Sequence, residues 1–107
     1  MQYLLGVDVG TTSLKMALFS THGDVVREIT RNYTLEAFGE RVEFEPDEYW
    51  RLFSEAFDEI SSGYDITAIA IDTQCETLIV ADENGQPLRK AIVWLDNRAA
   101  DEARQIA

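Results

Sequence analysis

Residues 6–15 read Gly-Val-Asp-Val-Gly-Thr-Thr-Ser-Leu-Lys and join the end of one apolar run of strand length to the start of another. The first run covers residues 3–7 and the second covers residues 14–20. Two such runs, joined by a short polar connection with little side-chain bulk, predict two antiparallel strands and a tight turn. This hairpin forms the first two strands of a sheet to which later strands can add.

The predicted turn carries groups that suit a phosphate and a metal ion. Gly10 can adopt backbone angles closed to other residues, so the chain can turn sharply and bring its amides close to a ligand. Successive amides in such a turn form an anion-binding concavity, and the hydroxyls of Thr11, Thr12 and Ser13 add donors. Asp8 at the strand end can hold Mg²⁺ or its waters beside a phosphate. An ordinary hairpin turn explains the pattern equally well, and the Gly-Lys-Ser/Thr triplet of a P-loop is absent.

Composition and charge restrict the partners. The chain has 107 residues, enough for one small domain, and its 46% hydrophobic content is typical of folded globular proteins. Twenty Asp and Glu against nine Lys and Arg leave a net charge of −11, which argues against nucleic acid and membrane surfaces as partners. The single cysteine, Cys75, and the absence of a signal peptide predict a cytoplasmic protein.

The next part of the chain predicts a third strand and a helix. Residues 25–35 alternate loosely between apolar and polar, so they predict a third antiparallel strand that completes a meander. Residues 36–45 are polar and predict a loop. Pro46 and the acidic residues after it predict the start of a helix, and Gly63 predicts its end. The apolar face of this helix is formed by Tyr49, Phe53, Ala56, Phe57 and Ile60.

The last part of the chain predicts further strands and the start of a second helix. Residues 66–71 are continuously apolar, which predicts a strand covered on both faces in the interior of the sheet. Apolar residues return at 77–81 and 91–94, with an Asn-Gly turn between them. Residues 99–106 have helix composition and stop before a full helix is complete. The pattern predicts one partial α/β domain over residues 1–107, with a mixed sheet and covering helices, that looks truncated.

Two polar clusters follow predicted strands. Gln74 and Glu76 follow the first, and Trp94, Asp96 and Arg98 follow the second. Strand ends often hold ligands, because the backbone there is rigid and side chains converge. Planar hydrogen-bonding groups beside an aromatic surface suit a sugar or polyol. In the alternative interpretation, Trp94 belongs to the core and Asp96 caps the terminal helix.

Three motifs, in this order, resemble those of the FGGY carbohydrate kinases, which belong to the superfamily of actin, heat-shock chaperones and sugar kinases. Residues 8–13, with Lys15 after them, resemble the family's first phosphate motif. Residues 69–77 resemble the stretch that carries Asn-Gln-Arg-Glu-Thr in glycerol kinases and Gly-Gln-Met-His-Gly in xylulose kinases. Residues 91–99 resemble the Trp-x-Asp-x-Arg segment of many members. The resemblance covers essentially the whole chain and implies a ribonuclease-H-like (actin-like ATPase) fold that begins with an antiparallel three-stranded meander.

The resemblance also implies a ligand for each motif. Asp8 would help to hold Mg²⁺. The phosphates of ATP would face Gly10, Thr11, Thr12, Ser13 and Lys15. The sugar or polyol would lie at or near Gln74, Cys75, Glu76, Trp94, Asp96 and Arg98.

The chain departs from the family at positions that bear on the substrate. Glycerol kinases have an Arg where this chain has Cys75, so a glycerol-type donor is missing. Xylulose kinases have His and Gly where Glu76 and Thr77 stand. Asp96 favours a sugar kinase over a glycerol kinase, without naming the sugar.

The activity implied by the resemblance is transfer of the γ-phosphoryl group of ATP to a hydroxyl of a pentulose, hexulose or polyol, a phosphotransferase reaction with an alcohol acceptor. The family's general base, an Asp later in the chain, has no counterpart here. We therefore expect an N-terminal fragment that contains no catalytic residue and is inactive alone.

Two other functions stay open: an ATPase switch of the actin or heat-shock-chaperone type, and a non-catalytic acidic interaction module. A truncated domain should expose apolar surface, so self-association, as a homodimer for example, is predicted under either reading.

Overall fold

The computed structural model describes all residues from 1 to 107 and contains seven strands and two helices. In chain order these are β1 (Gln2–Val9), β2 (Ser13–Ser20), β3 (Val25–Asn32), β4 (Glu36–Phe38), β5 (Arg41–Phe44), α1 (Pro46–Ser61), β6 (Asp65–Thr73), β7 (Ala91–Ile92) and α2 (Ala100–Ile106). The chain divides into two compact units. Unit 1 comprises Met1–Tyr33 and Tyr49–Gln74, and unit 2 comprises Thr34–Glu48 and Cys75–Ala107.

Unit 1 contains a four-stranded mixed sheet in the order β3-β2-β1-β6. The pairs β1–β2 and β2–β3 are antiparallel, which confirms the predicted meander, and β1–β6 is parallel. The core lies between this sheet and α1. It contains Leu5 and Val7 of β1, Leu14, Met16 and Leu18 of β2, and Ala56 and Ile60 of α1. Because side chains alternate along a strand, Asp8 and Lys15 belong to the opposite face.

Helix α1 begins and ends where the sequence predicts. Pro46 begins it, Asp47 and Glu48 stand in its first turn, and Ser61 is its last residue. Gly63 has φ +82°, as expected for a glycine just past a helix. Arg27 Nη1 donates to the carbonyl oxygens of Glu59 at 3.1 Å and Ile60 at 3.5 Å, and so satisfies acceptors that the last turn leaves without intrahelical partners.

Strand β6 confirms the predicted strand but not its predicted place in the sheet. It pairs with β1 on one side only, so it is an edge strand, and Ile69 and Ile71 are 46% and 60% exposed. The predictions of an interior strand and of cover on both faces were both wrong, since almost every residue of β6 is exposed. A continuous apolar run is typical of a buried strand, but it does not report which other segments pack beside it.

Unit 2 contains a small antiparallel sheet in the order β4-β5-β7. Residues 36–45 were predicted to form a loop, and they form the β4–β5 hairpin instead, with Gly39 at φ +59°. Residues 77–81 make only isolated bridges at Leu78 and Ala81. The Asn84-Gly85 turn is confirmed, with φ +79° at Gly85 and with Asp82 Oδ1 accepting from the amides of Asn84 and Gln86 at 2.9 Å.

Neither helix combines the length and the apolar character that crossing a membrane would require.

Candidate functional site

The turn between β1 and β2 closes on itself through the backbone. The amide of Gly10 donates to the carbonyl oxygen of Ser13 at 2.9 Å. A Cβ atom on Gly10 would lie 3.1 Å from that same oxygen, so a larger residue would press on the turn. The φ angle of Gly10 is not in the left-handed region. Gly10 therefore does not use a left-handed backbone, and the close Ser13 oxygen favours a residue without a Cβ atom at this position.

Charged side chains approach this turn from neighbouring strands. Asp8 lies opposite Lys15 in the antiparallel register and opposite Asp72 in the parallel register. The three residues line one groove of about 680 Å³, together with small residues such as Gly6 and Ala17. One cation, Lys15, and two carboxylates, Asp8 and Asp72, therefore occupy neighbouring positions on three adjacent strands, close to the Gly10–Ser13 turn.

Gln74 is tied to the same turn from the end of β6. Its backbone amide donates to the carbonyl oxygen of Val9 at 2.8 Å, and its Nε2 atom donates to Tyr49 Oη at 3.1 Å. Its Oε1 atom is buried and has no hydrogen-bond partner. Buried acceptors are nearly always satisfied, so this unpaired oxygen is a candidate acceptor for a hydroxyl or amide of a ligand.

In unit 2, Cys75 and Glu76 begin the segment that follows Gln74. Both side chains are exposed, and Glu76 has φ +70°, a left-handed conformation that residues other than glycine adopt only rarely. Backbone strain of this kind is concentrated at binding sites. The predicted contacts of these two residues with a sugar stay a prediction.

Trp94 is a surface residue of unit 2. It is 48% exposed, and its backbone amide donates to Thr77 Oγ1 at 3.3 Å. The alternative in which Trp94 belongs to the core was therefore wrong. A half-exposed indole presents an aromatic surface of the kind that stacks on apolar faces of ligands.

Asp96 has internal partners on both carboxylate oxygens. Oδ2 accepts from the Val42 amide at 2.7 Å and from Arg98 Nη2 at 2.6 Å, while Oδ1 accepts from the amide of Arg98 at 3.0 Å and from its Nε at 2.9 Å. Helix α2 begins at Ala100, with Ala99 at its N-cap and no side-chain cap bond. The alternative in which Asp96 caps the terminal helix was therefore wrong.

Arg98 links Asp96 to a second buried carboxylate, Glu43 of β5. Arg98 Nη2 lies 3.3 Å from Glu43 Oε2, and Arg89 Nη2 lies 3.0 Å from the same oxygen. The hydrogen bonds from Arg98, which outweigh the effect of burial, hold the pKa of Asp96 well below its usual value. Burial raises the pKa of Glu43, but the hydrogen bonds from Arg89 and Arg98 more than offset it and leave that pKa below its usual value. Both carboxylates are ionised at neutral pH and hold the Trp94–Arg98 segment to β5.

Sequence reasoning assigned no role to three residues of these clusters, namely Asp72, Tyr33 and Glu43. Asp72 could have been found, because a parallel pairing of β1 with the strand predicted at residues 66–71 places it beside Asp8. Tyr33 contacts the Gly10–Ser13 turn through its hydroxyl and its backbone amide, and nothing in the local pattern reports this. Glu43 lies in the segment predicted to be a loop, so its burial was not foreseen.

Comparison with known proteins places the chain in a family. The family model described as "FGGY family of carbohydrate kinases, N-terminal domain" matches residues 3–107. Xylulose kinase of Staphylococcus xylosus is 33% identical over 99% of this chain, and glycerol kinase of Burkholderia cenocepacia is 40% identical over 94% of it. The chain spans 23% and 21% of the lengths of these two relatives.

Solved structures agree with this placement. Ligand-bound xylulose kinase from Lactobacillus acidophilus superposes with a TM-score of 0.91 at 27% identity, over 98% of this chain and 22% of that one. Plasmodium falciparum glycerol kinase with ADP superposes with a TM-score of 0.83 at 27% identity, over 100% of this chain and 23% of that one. The mixed sheet with its opening meander and two helices confirms the predicted actin-like ATPase fold. On the family model and these relatives together, the chain belongs to the FGGY family of carbohydrate kinases.

Proposed function

We propose that this chain is the N-terminal part of an ATP-dependent carbohydrate kinase, which transfers the γ-phosphoryl group to a hydroxyl of a sugar or polyol. In this proposal unit 1 binds the phosphates and the metal ion, and the sugar contacts polar residues that follow β6 and β7. The chain alone would lack the family's general base and would bind ligands without turning them over. Family membership supports the class of reaction.

The observation that carries the proposal is the construction of the β1–β2 turn. The Gly10 amide closes the turn on Ser13, and a Cβ atom on Gly10 would lie only 3.1 Å from the Ser13 carbonyl oxygen. Beside it, Asp8 and Lys15 lie opposite each other at the adjoining strand ends. A small-residue turn with a cation on one strand and a carboxylate on the other suits a magnesium-bound polyphosphate better than a free anion or a free metal ion.

The residues present fit ATP and Mg²⁺. Asp8 is exposed at the end of β1, and Mg²⁺ is commonly held by one or two carboxylates, its own waters and substrate phosphates. Asp8 would hold the ion, with Asp72 beside it, and Lys15 and the amides and hydroxyls of the Gly10–Ser13 turn would hold the phosphates. The bound ion would supply charge neutralisation for the transferred group.

The polar groups after β6 and β7 fit a polyhydroxylated substrate. The buried Oε1 of Gln74 offers an acceptor for a hydroxyl, Glu76 offers a second, and Trp94 offers an exposed ring. Asp96 and Arg98 keep their proposed place near the sugar, and their internal hydrogen bonds would hold Trp94 in position. Sugars are bound by such mixtures of planar polar groups and aromatic surface.

Binding of MgADP to this chain tests the nucleotide part of the proposal. We expect Asp8→Asn to weaken magnesium-dependent binding of ADP about tenfold, since one carboxylate ligand is lost. Asp24→Asn, in the exposed turn at the other end of β2, is the matched control and should leave the affinity unchanged. Equal affinities of the wild type and Asp8→Asn, measured by calorimetry with and without Mg²⁺, would contradict the role of Asp8.

A panel of sugars and polyols tests the reaction class. The protein as it occurs in its source cells should consume ATP only when an accepted sugar is added. ATP hydrolysis at the same rate without any sugar would favour the ATPase switch instead.

A further inference from the structure

Tyr33 contacts the Gly10–Ser13 turn twice. Its hydroxyl donates to the carbonyl oxygen of Gly10, and its backbone amide donates to the carbonyl oxygen of Thr12 at 3.0 Å. The tyrosine follows β3 directly, so a residue from a third strand reaches back to a turn between the first two.

These two hydrogen bonds determine how the peptide groups of the turn are oriented. A peptide group is planar and trans, so the N–H of one residue points opposite to the C=O of the residue before it. With the carbonyls of Gly10 and Thr12 held by Tyr33, the amides of Thr11 and Ser13 point away from Tyr33. An anion-binding concavity requires amides on one side and carbonyls on the other, and Tyr33 produces that arrangement.

The ring of Tyr33 packs against a second tyrosine, Tyr49, which is hydrogen-bonded to Gln74. The ring of Tyr49, on α1, meets the ring of Tyr33 edge to face, with centroids 5.6 Å apart and planes at 89°. Tyr49 Oη accepts from Gln74 Nε2 at 3.1 Å, and the amide of Gln74 returns to Val9 at 2.8 Å. The contacts therefore form a closed ring, which runs from the turn through two tyrosines and Gln74 back to the strand that enters the turn.

The hydroxyl of Tyr33 remains a donor over the whole range in which a cell works. Burial, with smaller contributions from Tyr49 and Asp8, raises the pKa of Tyr33 to about 12. The proton that bonds to Gly10 is therefore retained at neutral pH.

We propose that Tyr33 is a positioning residue for nucleotide phosphate: its two hydrogen bonds hold the carbonyls of Gly10 and Thr12 so that the amides of the turn face the phosphates. This inference rests on the proposed function of the turn. It concerns a residue that contacts the turn and not the ligand, and Tyr49 and Gln74 support it as the next contacts of the ring.

The test is the change Tyr33→Phe, which removes the hydroxyl and keeps the ring and the backbone amide. Loss of one hydrogen bond is expected to weaken MgADP binding about three- to tenfold. The amide nitrogen resonance of Thr11, which shares a peptide group with the Gly10 carbonyl, should shift in the absence of ligand. Tyr64→Phe is the matched control, since Tyr64 packs edge to face on Tyr3 in the same unit, and it should alter neither quantity.

The outcomes separate this inference from the function on which it rests. If the wild type binds MgADP and Tyr33→Phe binds it equally well, the positioning role is overturned while the proposed function stands. If the wild type fails to bind MgADP, the proposed function of the turn and the positioning role both fall. Equal losses of affinity in Tyr33→Phe and Tyr64→Phe would indicate general destabilisation and would also overturn the specific role.

Discussion

Asp96 shows how one buried side chain connects stability to pH. Its carboxylate accepts from the Arg98 guanidinium, the Arg98 amide and the Val42 amide, and its side chain is 3% exposed. The hydrogen bonds from Arg98, against the effect of burial, lower its pKa from the usual 3.8. A carboxylate whose pKa is lower in the folded state contributes stability above its unfolded pKa and loses it as the pH falls. The pKa of Glu43 is likewise lower than its usual 4.5, so Glu43 also contributes stability that is lost as the pH falls.

We expect the free energy of unfolding to fall as the pH drops below about 4.5, and Asp96→Asn to remove part of this dependence. At pH 7 the same change should lower the melting temperature by roughly 5 °C or more, because Arg98 loses one of its two charged partners. Asp101→Asn is the control, since the Asp101 side chain is 81% exposed in its pair with Arg104. Thermal unfolding followed by circular dichroism between pH 3 and pH 7 provides the measurement. Identical pH profiles for the wild type and Asp96→Asn would exclude the assignment.

The amphipathic pattern of helix α1 predicts which of its side chains are buried. Ala56 and Ile60 are fully buried against Leu5, Val7 and the apolar residues of β2, whereas Trp50 on the same helix is 69% exposed. The spacing of apolar residues along the helix predicts this division, because only one stripe of a helix can face a sheet. Phe53 and Phe57 also pack against this cluster, so one face of the helix holds it to the sheet.

Ile60→Ala should lower the free energy of unfolding by about 2–4 kcal/mol, because it removes buried surface and leaves a cavity. Ile106→Ala makes the same chemical change at a position that is 87% exposed on α2, and its effect should stay within about 0.5 kcal/mol. Urea denaturation of both variants measures the difference. Comparable losses at the two positions would contradict the described core.

The outer edge of β6 is the surface of the protein most suited to pairing with another chain. Strand β6 is nine residues long, and its outer edge presents unpaired backbone groups. Ile69 and Ile71 of this strand are 46% and 60% exposed. A long apolar edge strand without charged side chains at its centre readily pairs with another strand. We propose that copies of this chain associate through β6. The net charge of −11 opposes such pairing, so salt should strengthen it.

Ile71→Lys should shift the association of this chain towards monomer, because it places a charge on the pairing edge. Ile106→Lys, an equivalent change on α2, is the control and should leave the association unchanged. Sedimentation equilibrium at low and high salt measures both variants beside the wild type. A wild type that stays monomeric at millimolar concentration, or a dimer that Ile71→Lys leaves intact, would refute the proposal.

Local patterns in the sequence were enough to predict the opening hairpin, the third strand, the bounds of α1 and the two later turns at Gly63 and Gly85. Each depends on the periodicity of nearby residues or on the backbone needs of one glycine or proline, which act over a few positions. The role of the turn at residues 10–13 in binding phosphate stays a prediction. Family resemblance added the ligands, and the comparisons confirm the family.

Long-range contacts account for what could not be predicted. The β4–β5 hairpin, the burial of Glu43, the position of β6 at an edge and the contacts of Tyr33 all join residues far apart in the chain. Glu43 and Arg98 are an example: nothing near either residue reports the 3.3 Å contact between them. Tyr33 similarly meets Gly10 only because β3 lies beside β2. Strand order and side-chain pairing depend on which distant segments pack together, and that information becomes available only once the chain is folded.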